Sequence, residues 1–213
     1  MNPLKINSIF QSISGEAGEI PQGTWCTFIR LQGCNLKCDW CDTPNAQKET
    51  EEAMSMSMDK IIRSCEFKHI IITGGEPLLQ PNIYSLFDAL IDLNYIVQVE
   101  TNGSFNVDVE KYSKINFIFD WKCPSSGMGL FMNEIVFQKA KYIKFVVQDK
   151  LDLNFAIYKM KSLKRRDVKF IISPLNADGN KILSIQKTIQ KEAAELLDNI
   201  IFSVQIHKIF NLL

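Results

Sequence analysis

Three cysteines with short spacing are the residues of this sequence whose types and positions are most specific for chemistry. Cys34, Cys38 and Cys41 form a Cys-x-x-x-Cys-x-x-Cys run, and Trp40 stands directly before the third. Thiolates are the usual ligands of iron–sulfur clusters, which normally take four of them. Three neighbouring thiolates can hold a 4Fe–4S cluster with one iron left open to a substrate or cofactor. The run therefore predicts a cluster whose open iron takes part in a reaction.

A zinc site is the alternative for the same thiols. Structural zinc takes four ligands, normally Cys or His. The sequence has two histidines, His69 and His207, and neither lies near the thiols along the chain. The other cysteines, Cys26, Cys65 and Cys123, fit no short ligand spacing, and we expect each to be a small buried apolar residue. The iron–sulfur interpretation is favoured, while a zinc or iron–sulfur binding module without enzymatic activity stays open.

The composition describes a globular chain with no evident polyanionic partner. Its 213 residues are 46% hydrophobic, which is enough for one domain over residues 1–213 with a substantial core. Lys plus Arg equals Asp plus Glu, at 24 each, so net charge gives no reason to expect nucleic acid. No apolar run approaches the ~20 residues of a membrane span, and no signal core opens the sequence. Six cysteines in such a chain suit a reducing compartment, and we expect a cytoplasmic protein.

Strand-like and helical patterns alternate along most of the chain. Seven apolar runs have strand length: Trp25–Gln32, His69–Thr73, Ile96–Thr101, Ile115–Trp121, Tyr142–Val147, Val168–Ile172 and Ile201–Gln205. Four segments carry apolar residues three and four apart: Met58–Ser64, Ile83–Asp92, Leu153–Lys164 and Lys181–Asn199. Asn82 and Asp152 are the expected N-caps of the second and third of these helices. Apolar strands that alternate with helices predict a parallel sheet covered by helices.

The length of the chain limits how such a sheet closes. A complete eight-fold barrel usually needs about 250 residues, and this chain has room for about five or six βα units. We therefore predict an α/β fold, an incomplete βα barrel with mainly parallel strands. In such folds the active site lies at the C-terminal ends of the strands.

Polar or glycine-rich motifs follow six of the predicted strands. They are the cysteine loop, Thr73-Gly74-Gly75-Glu76-Pro77, Glu100-Thr101-Asn102-Gly103, Asp120-Trp121-Lys122, Ser173-Pro174-Leu175 and Gln205-Ile206-His207-Lys208. Because the C-terminal ends of parallel strands share one edge, we expect these motifs at one rim. Glycine lets backbone approach a ligand closely, whereas Glu100 either contacts a ligand or pairs with a neighbour. Arg30 precedes the cysteine loop within an apolar strand, and arginine suits bidentate recognition of a carboxylate.

The order of these motifs resembles a known enzyme family. Cys-x3-Cys-x2-Cys followed by Gly-Gly-Glu-Pro is typical of the radical S-adenosylmethionine (SAM) superfamily. More specific runs are Phe10-x-Ser12-x-x-Gly15-Glu16, Phe28-Ile29-Arg30-Leu31-x-Gly33-Cys34-Asn35-Leu36, Cys38-x-Trp40-Cys41-Asp42-Thr43, Glu100-Thr101-Asn102-Gly103 and Gln205-x-His207-Lys208. Through them residues 6 to 213 resemble the 7-carboxy-7-deazaguanine synthase family.

The resemblance implies a reaction, cofactors and partners. Members of the family rearrange 6-carboxy-5,6,7,8-tetrahydropterin to 7-carboxy-7-deazaguanine with loss of ammonia, for queuosine and related 7-deazapurines. A 4Fe–4S cluster binds SAM, and reduction gives a 5′-deoxyadenosyl radical that takes a hydrogen atom from the substrate and later returns one. The family also implies Mg²⁺, a flavodoxin- or ferredoxin-type reductant and a homodimer, with no nucleic-acid or membrane partner.

The resemblance implies roles for individual residues as well. Cys34, Cys38 and Cys41 would bind the cluster, and Thr43 would give its hydroxyl to Mg²⁺ unless it caps a helix. SAM would be lined by Trp40, Cys41, Asp42, Gly75, Asp120, Trp121, Lys122, Ser173, Pro174 and Leu175. The pterin would contact Ile13, Ser14, Gly15, Arg30, Thr73 and the terminal carboxylate of Leu213. The implied catalytic residues are Glu100, Lys122 and His207.

Another radical SAM enzyme remains an alternative, such as an activase that generates a glycyl radical on a partner protein. It would share the cysteine run and the Gly-Gly-Glu-Pro element. It would have less use for the Gly15-Glu16 loop, for Arg30 or for a pocket that includes the terminal carboxylate. The synthase family accounts for more of the motifs and is favoured.

Overall fold

A mixed β-sheet is the framework of the computed structural model, which describes residues 3–48, 53–128, 133–163, 165–176 and 178–210, with only the backbone of residues 207 and 208. Its strands are β1 (Leu4–Ile13), β2 (Trp25–Leu31), β3 (Met54–Met56), β4 (His69–Gly74), β5 (Ile96–Thr101), β6 (Ile115–Asp120), β7 (Tyr142–Val147), β8 (Lys169–Pro174) and β9 (Ile200–Phe202). They are ordered β3-β1-β2-β4-β5-β6-β7-β8-β9. β1 pairs antiparallel with β2 and β3, and every later pair from β2 to β9 is parallel.

Helices connect most of the parallel strands. They are α1 (Met58–Arg63), α2 (Ile83–Asp92), α3 (Glu134–Lys139), α4 (Lys150–Ser162), α5 (Gly179–Glu192) and α6 (Ile206–Ile209). In the described residues, each connection between successive parallel strands contains one of α1 to α5, except the link from β5 to β6. The predicted incomplete βα barrel is therefore confirmed. None of the helices described is both long and apolar enough to cross a membrane.

The two faces of the sheet carry different side chains because residues alternate along each strand. In β7, Phe145 belongs to the apolar core between sheet and helices, whereas its neighbours Lys144 and Val146 line a cavity on the other face. In β6, Phe119 faces the core and Asp120 faces the cavity. The helix-covered face therefore stabilises the fold, and the opposite face is free to carry polar groups.

Three strand predictions were incomplete. β1 was not predicted, because the register shifts between Ile6 and Ser8 and so interrupts the apolar alternation that would mark a strand. The three-residue strand β3 was also not predicted. The last strand was predicted over Ile201–Gln205, but β9 ends at Phe202 and Ile206 begins the short helix α6.

Helix starts and ends were predicted less well than helix positions. The third predicted helix begins earlier, at Lys150, because the side chain of Asp149 accepts hydrogen bonds from the first-turn amides. Asp152 is therefore not an N-cap, and Asn82 makes no side-chain capping bond. The segment predicted as Lys181–Asn199 is α5 followed by a separate 3₁₀ turn, since the backbone leaves helical geometry at Ala193. The six-residue helix α3 was not predicted.

Candidate active site

A cavity of about 580 Å³ lies at the C-terminal ends of the parallel strands. Fourteen of the residues given a site role from the sequence line it: Ile13, Gly15, Arg30, Cys34, Cys38, Trp40, Cys41, Asp42, Thr73, Gly75, Glu100, Asp120, Lys122 and Leu175. They come from the loops and strand ends that follow β1, β2, β4, β5, β6 and β8. The motifs separated along the sequence thus meet at one rim.

The three thiols of the cysteine loop lie on one side of this cavity. The loop is folded back by backbone hydrogen bonds, from Gly33 N to Ala46 O at 2.8 Å and from Cys34 N to Gln47 O at 3.0 Å. Cys34, Cys38 and Cys41 are all free thiols. Burial raises the pKa of Cys34, and it raises the pKa of Cys38 to about 11 against the lowering effect of the Lys122 charge. Because metals bind thiolates, loading this site must displace protons.

The arrangement of possible ligands fits a cluster with an open iron. In the described part of the chain, no three or more His, Cys, Asp or Glu side chains are placed to hold one metal ion. A 4Fe–4S cluster makes a different demand, because each thiolate bonds its own iron. No fourth cysteine lines the cavity among these residues: Cys26 packs with Ile20 and Ile71 on the sheet, and His69 opens β4 at the opposite end of that strand.

A glycine pair brings the end of β4 directly against the cysteine loop. Gly74 has a φ of +132°, and the amides of Gly75 and Glu76 donate to the backbone oxygens of Leu31 and Gly33 at 3.1 and 2.8 Å. A Cβ at Gly75 would overlap the backbone of Gly33. Glu76 is fully buried, and its carboxylate accepts from the Thr101 hydroxyl at 2.7 Å and from two backbone amides. The two glycines therefore bring the backbone after β4 against the backbone of the cysteine loop, and no side chain would fit between them.

Buried charges form a chain of ion pairs along the cavity wall. Lys144 Nζ lies 2.7 Å from Glu16 Oε2 and 3.5 Å from Asp120 Oδ2, and Lys122 Nζ lies 3.0 Å from the same Asp120 oxygen. Burial alone would lower the pKa of Lys144, but the charges of Glu16 and Asp120 hold it well above its usual value. The amine therefore stays cationic and binds carboxylates from a loop and from a strand.

The loop between β1 and β2 also closes the gap left by the open barrel. The Gln205 amide donates to Glu16 Oε1 at 2.8 Å. Backbone contacts join the same segments, from Ala17 N to Ser203 Oγ at 2.9 Å and from Ile206 N to Gly15 O at 3.1 Å. The chain near residue 16 and the chain near residue 205 thus form a common wall of the cavity.

Two further groups face the cavity from neighbouring strands. The Thr73 hydroxyl donates to Glu100 Oε2 at 3.2 Å. Burial raises the pKa of Glu100, and the nearby charge of Lys144 partly offsets that increase. This pair offers a carboxyl oxygen and a hydroxyl to the polar edge of a ligand.

Arg30 is held in a way that leaves donors for a ligand. Its guanidinium lies 5.2 Å from the centre of the Phe10 ring, and Phe10 stacks on Phe28 at 5.0 Å. The buried Nε has no hydrogen-bond partner among the described residues. A planar cation fixed by aromatic stacking, with unsatisfied donors, suits an anionic group in the cavity.

Trp121 does not line the cavity. Its side chain packs in the core against Phe137, with ring centroids 4.6 Å apart, and Lys159 Nζ lies 4.6 Å from its ring centre. The physical reason is alternation, because Asp120 points into the cavity and the next residue points to the helices. Only the outer two members of the Asp120-Trp121-Lys122 motif reach the cavity through their side chains.

Other residues named from the sequence lie beside the cavity rather than on it. The buried Ser14 hydroxyl bonds backbone oxygens of its own loop, and Ser173 and Pro174 are buried, with the Ser173 hydroxyl unpaired among the described residues. Thr43 donates to Asp42 Oδ1 at 3.1 Å and makes no capping bond to the turn that follows it. The side chain of His207 and all of Leu213 lie outside the described residues.

Sequence reasoning missed Lys144 and assigned no separate role to Glu16 or Gln205. A signal for Lys144 existed, since it is the one charged residue inside the otherwise apolar run Tyr142–Val147. Glu16 and Gln205 belonged to recognised motifs, but their contact joins residues 189 apart, and no local pattern reveals it.

Comparison with known proteins indicates the same enzyme family as the motifs that line the cavity. Residues 28–119 match the model of the Radical SAM superfamily. The 7-carboxy-7-deazaguanine synthase of Aquifex aeolicus is 31% identical over 98% of this chain and 94% of its own length, and that of Clostridium acetobutylicum is 33% identical over 96% and 95%. The crystal structure of QueE from Escherichia coli shares the fold, with a TM-score of 0.76 and 22% identity over 95% of this chain and 94% of that one. The chain therefore belongs to the 7-carboxy-7-deazaguanine synthase family of radical SAM enzymes.

Proposed function

We propose that this cavity rearranges 6-carboxy-5,6,7,8-tetrahydropterin to 7-carboxy-7-deazaguanine with release of ammonia, as a lyase of queuosine or related 7-deazapurine synthesis. Family membership implies a 4Fe–4S cluster and SAM, which together supply hydrogen-atom abstraction by a carbon-centred radical. The observation that carries the proposal is the meeting of three free thiols and an unsatisfied arginine donor in one cavity. We assign the part of the cavity near the thiols to the cofactors and the part near Arg30 to an anionic substrate.

At the cofactor end, the thiols of Cys34, Cys38 and Cys41 hold the cluster. The backbone of Gly75 and the side chains of Trp40 and Lys122 then border SAM, together with Asp42, Asp120 and Leu175. Ser173 and Pro174 support this border from behind, and Trp121 acts through its backbone, since its side chain is in the core. The tight contact of β4 with the cysteine loop supports this assignment, because it fixes the thiols relative to the rim.

At the substrate end, Arg30 pairs with the carboxylate of the pterin, while Glu100 and Thr73 bind its polar edge. Burial raises the pKa of Glu100, which makes its carboxyl easier to protonate than a solvent-exposed one and suits it to proton transfer at the ring. Ile13, at the end of β1, and Gly15, in the loop that follows, border the substrate. We retain Ser14 as a substrate contact from the family, although its backbone N and O bond Thr24 and Gly23. We retain Lys122 and His207 as catalytic residues and the terminal carboxylate of Leu213 as a substrate contact, as proposals from the family.

The proposed reaction is tested with anaerobically reconstituted protein, SAM, Mg²⁺, a strong reductant and 6-carboxytetrahydropterin, followed by mass spectrometry. We expect several equivalents of 7-carboxy-7-deazaguanine for each SAM added, because SAM is regenerated. If deoxyadenosine formed without that product, the protein would still be a radical SAM enzyme, but its substrate would be another molecule, such as a partner protein. If neither deoxyadenosine nor 7-carboxy-7-deazaguanine formed, the proposal would be rejected altogether.

Replacing Arg30 with alanine is expected to weaken substrate binding while slow SAM cleavage continues. Hydrogen bonds to charged groups contribute about 1.5–3 kcal/mol, so KM for the pterin should rise roughly 10- to 100-fold. Arg30→Lys keeps the charge but not the planar guanidinium, and its KM should lie between those of the wild type and Arg30→Ala. Arg166→Ala, at an exposed arginine, is the control. Steady-state kinetics give the answer, and an unchanged KM in Arg30→Ala would reject the carboxylate contact.

We further propose that the Thr43 hydroxyl binds Mg²⁺, which also contacts the substrate carboxylate. Mg²⁺ typically takes one or two protein ligands and keeps several waters, and the Thr43 hydroxyl lies 3.1 Å from an oxygen of Asp42, which lines the cavity. Thr43→Ala should raise the Mg²⁺ concentration for half-maximal turnover by about tenfold, the loss of roughly one ligand bond. Thr188→Ala, on the exposed face of α5, is the control. A Mg²⁺ titration identical to wild type would contradict the assignment.

We also propose a cytoplasmic homodimer whose residues 1–213 form one domain and whose reductant is a flavodoxin- or ferredoxin-type protein. Participation of all nine described strands in one sheet supports the single domain. The free cysteines support a reducing compartment. Light scattering on purified protein tests the dimer, and replacing the chemical reductant with purified flavodoxin tests the electron donor.

A further inference from the structure

Asp152, in the first turn of α4, is a buried carboxylate outside the cavity whose contacts lead back to it. Its side chain is fully buried. Oδ1 accepts from Ser125 N at 2.9 Å, and Oδ2 accepts from Ser125 Oγ at 2.6 Å and from Gln148 N at 2.8 Å. Both oxygens are therefore acceptors, and two of the three bonds hold a single residue of the segment after β6.

The Ser125 hydroxyl passes this constraint to the cysteine loop. A hydroxyl has one proton, and here it is donated in the hydrogen bond to Asp152. The lone pairs of the same oxygen accept the indole N–H of Trp40 at 3.0 Å. The carboxylate thus fixes the direction of the hydroxyl, and the hydroxyl becomes an acceptor for a donor that lies 85 residues away along the chain.

The position of Trp40 means that a change in its orientation would alter the cavity. It lines the cavity and directly precedes the thiol of Cys41, and Lys122 Nζ lies 5.2 Å from its ring centre. The same two segments meet through a backbone bond from Asp39 N to Ser126 O at 3.0 Å. The indole bond adds control of the ring plane, which a backbone bond at the preceding residue does not provide.

We propose that Asp152 is a positioning residue of the active site, which acts through Ser125 to orient Trp40 and with it the wall of the SAM pocket beside Cys41. The sequence pattern gave Asp152 only a capping role, and the family assignment gives it none. The inference rests on the proposed function, because it concerns the cluster and SAM. Asp152 itself touches neither the cavity nor its ligands, so its effect must pass through the two intervening side chains.

The test is an electron paramagnetic resonance titration of the reduced, reconstituted enzyme with SAM. Without the pterin and with samples frozen directly after mixing, SAM cleavage stays negligible and the titration gives a dissociation constant. Ser125→Ala removes one hydroxyl, and we expect a dissociation constant about fivefold higher, the equivalent of one hydrogen bond. Ser125→Thr keeps the hydroxyl and should restore the wild-type value. Ser126→Ala removes a buried hydroxyl from the same segment that bonds only a neighbouring amide, and it should leave the dissociation constant unchanged.

Coupling separates positioning from general stability. Trp40→Phe removes the indole N–H from the other end, so adding Ser125→Ala to it should weaken SAM binding no further. An asparagine at position 152 has one oxygen and one NH₂ group, so it cannot accept hydrogen bonds at both ends. Asp152→Asn should therefore raise the dissociation constant for SAM as Ser125→Ala does. Combining Asp152→Asn with Ser125→Ala should have no additional effect.

The outcomes separate this inference from the function on which it rests. A wild-type spectrum that SAM does not change would overturn both. A wild-type spectrum that responds to SAM, with Ser125→Ala equal to Ser126→Ala, would overturn only the inference. Additive effects of Trp40→Phe and Ser125→Ala would overturn it as well. A shared, non-additive loss that Ser125→Thr reverses would establish it, whatever the variants do to the temperature of unfolding.

Discussion

Replacing Gly75 with alanine is expected to prevent cluster assembly and to reduce turnover by at least roughly 100-fold, since displacement of an active-site element by about 1 Å has an effect of that size. The new Cβ would overlap the backbone oxygen of Gly33 and lie 2.7 Å from the backbone oxygen of Ala46. These atoms belong to the backbone that carries the thiols, so no side-chain rotation relieves the overlap. Either the cysteine loop or the end of β4 must move.

Iron content per chain and turnover measure this effect, and Gly179→Ala is the matched control. Gly179 is the first residue of α5, and a Cβ there meets nothing within 4 Å. Alanine favours helix over glycine by up to about 1 kcal/mol, so the control should be neutral or more stable. A Gly75→Ala protein with wild-type iron content and turnover would show that the contact of β4 with the cysteine loop is not required.

Replacing Lys144 with methionine is expected to lower the free energy of unfolding by about 3–5 kcal/mol, because removing one partner of a buried ion pair is strongly destabilising. The side chains of Lys144 and Glu16 are only 7% and 12% exposed. Asp120 keeps Lys122 as a cation, whereas Glu16 and Glu100 both lose the nearby charge of Lys144. Urea denaturation of the anaerobically purified protein measures the change.

Two further variants make this measurement specific. Lys139 also lies 3.0 Å from a carboxylate, that of Glu110, but these side chains are 48% and 77% exposed. Lys139→Met should therefore cost less than about 1 kcal/mol. Combining Lys144→Met with Glu16→Gln removes both charges, and it should be less destabilising than Lys144→Met alone. Equal losses from Lys144→Met and Lys139→Met would contradict the importance of burial at this pair.

The sequence predicted what depends on local pattern. Apolar runs located the parallel strands from β2 to β9, and the motifs that follow them marked the rim, because strand direction alone brings the C-terminal ends together. Trp121 shows the limit of that reasoning, since a motif at the rim still sends alternate side chains to opposite faces. A motif assigns a place on the chain, whereas the strand decides which of its members face the cavity.

What could not be predicted depends on contacts between distant segments. The pair of Lys144 with Glu16 joins residues 128 apart, and only the folded sheet brings them together. Asp152 illustrates a second limit. A helix start placed three residues late gave it a capping role, whereas the cap at Asp149 leaves it inside the first turn, pointing into the protein. A small error in an element boundary thus changed the apparent role of a buried charge.

The closure of the barrel gap by residues near 16 and 205 has a consequence for how the protein is made. The Gln205–Glu16 contact spans 189 residues, so this wall forms only after nearly all of the described chain has left the ribosome. The cysteine loop is synthesised early, but the cavity that shelters it is completed late. Cluster insertion into the closed cavity must therefore follow synthesis of the segment near residue 205, and chains interrupted before β9 would lack this wall of the cavity.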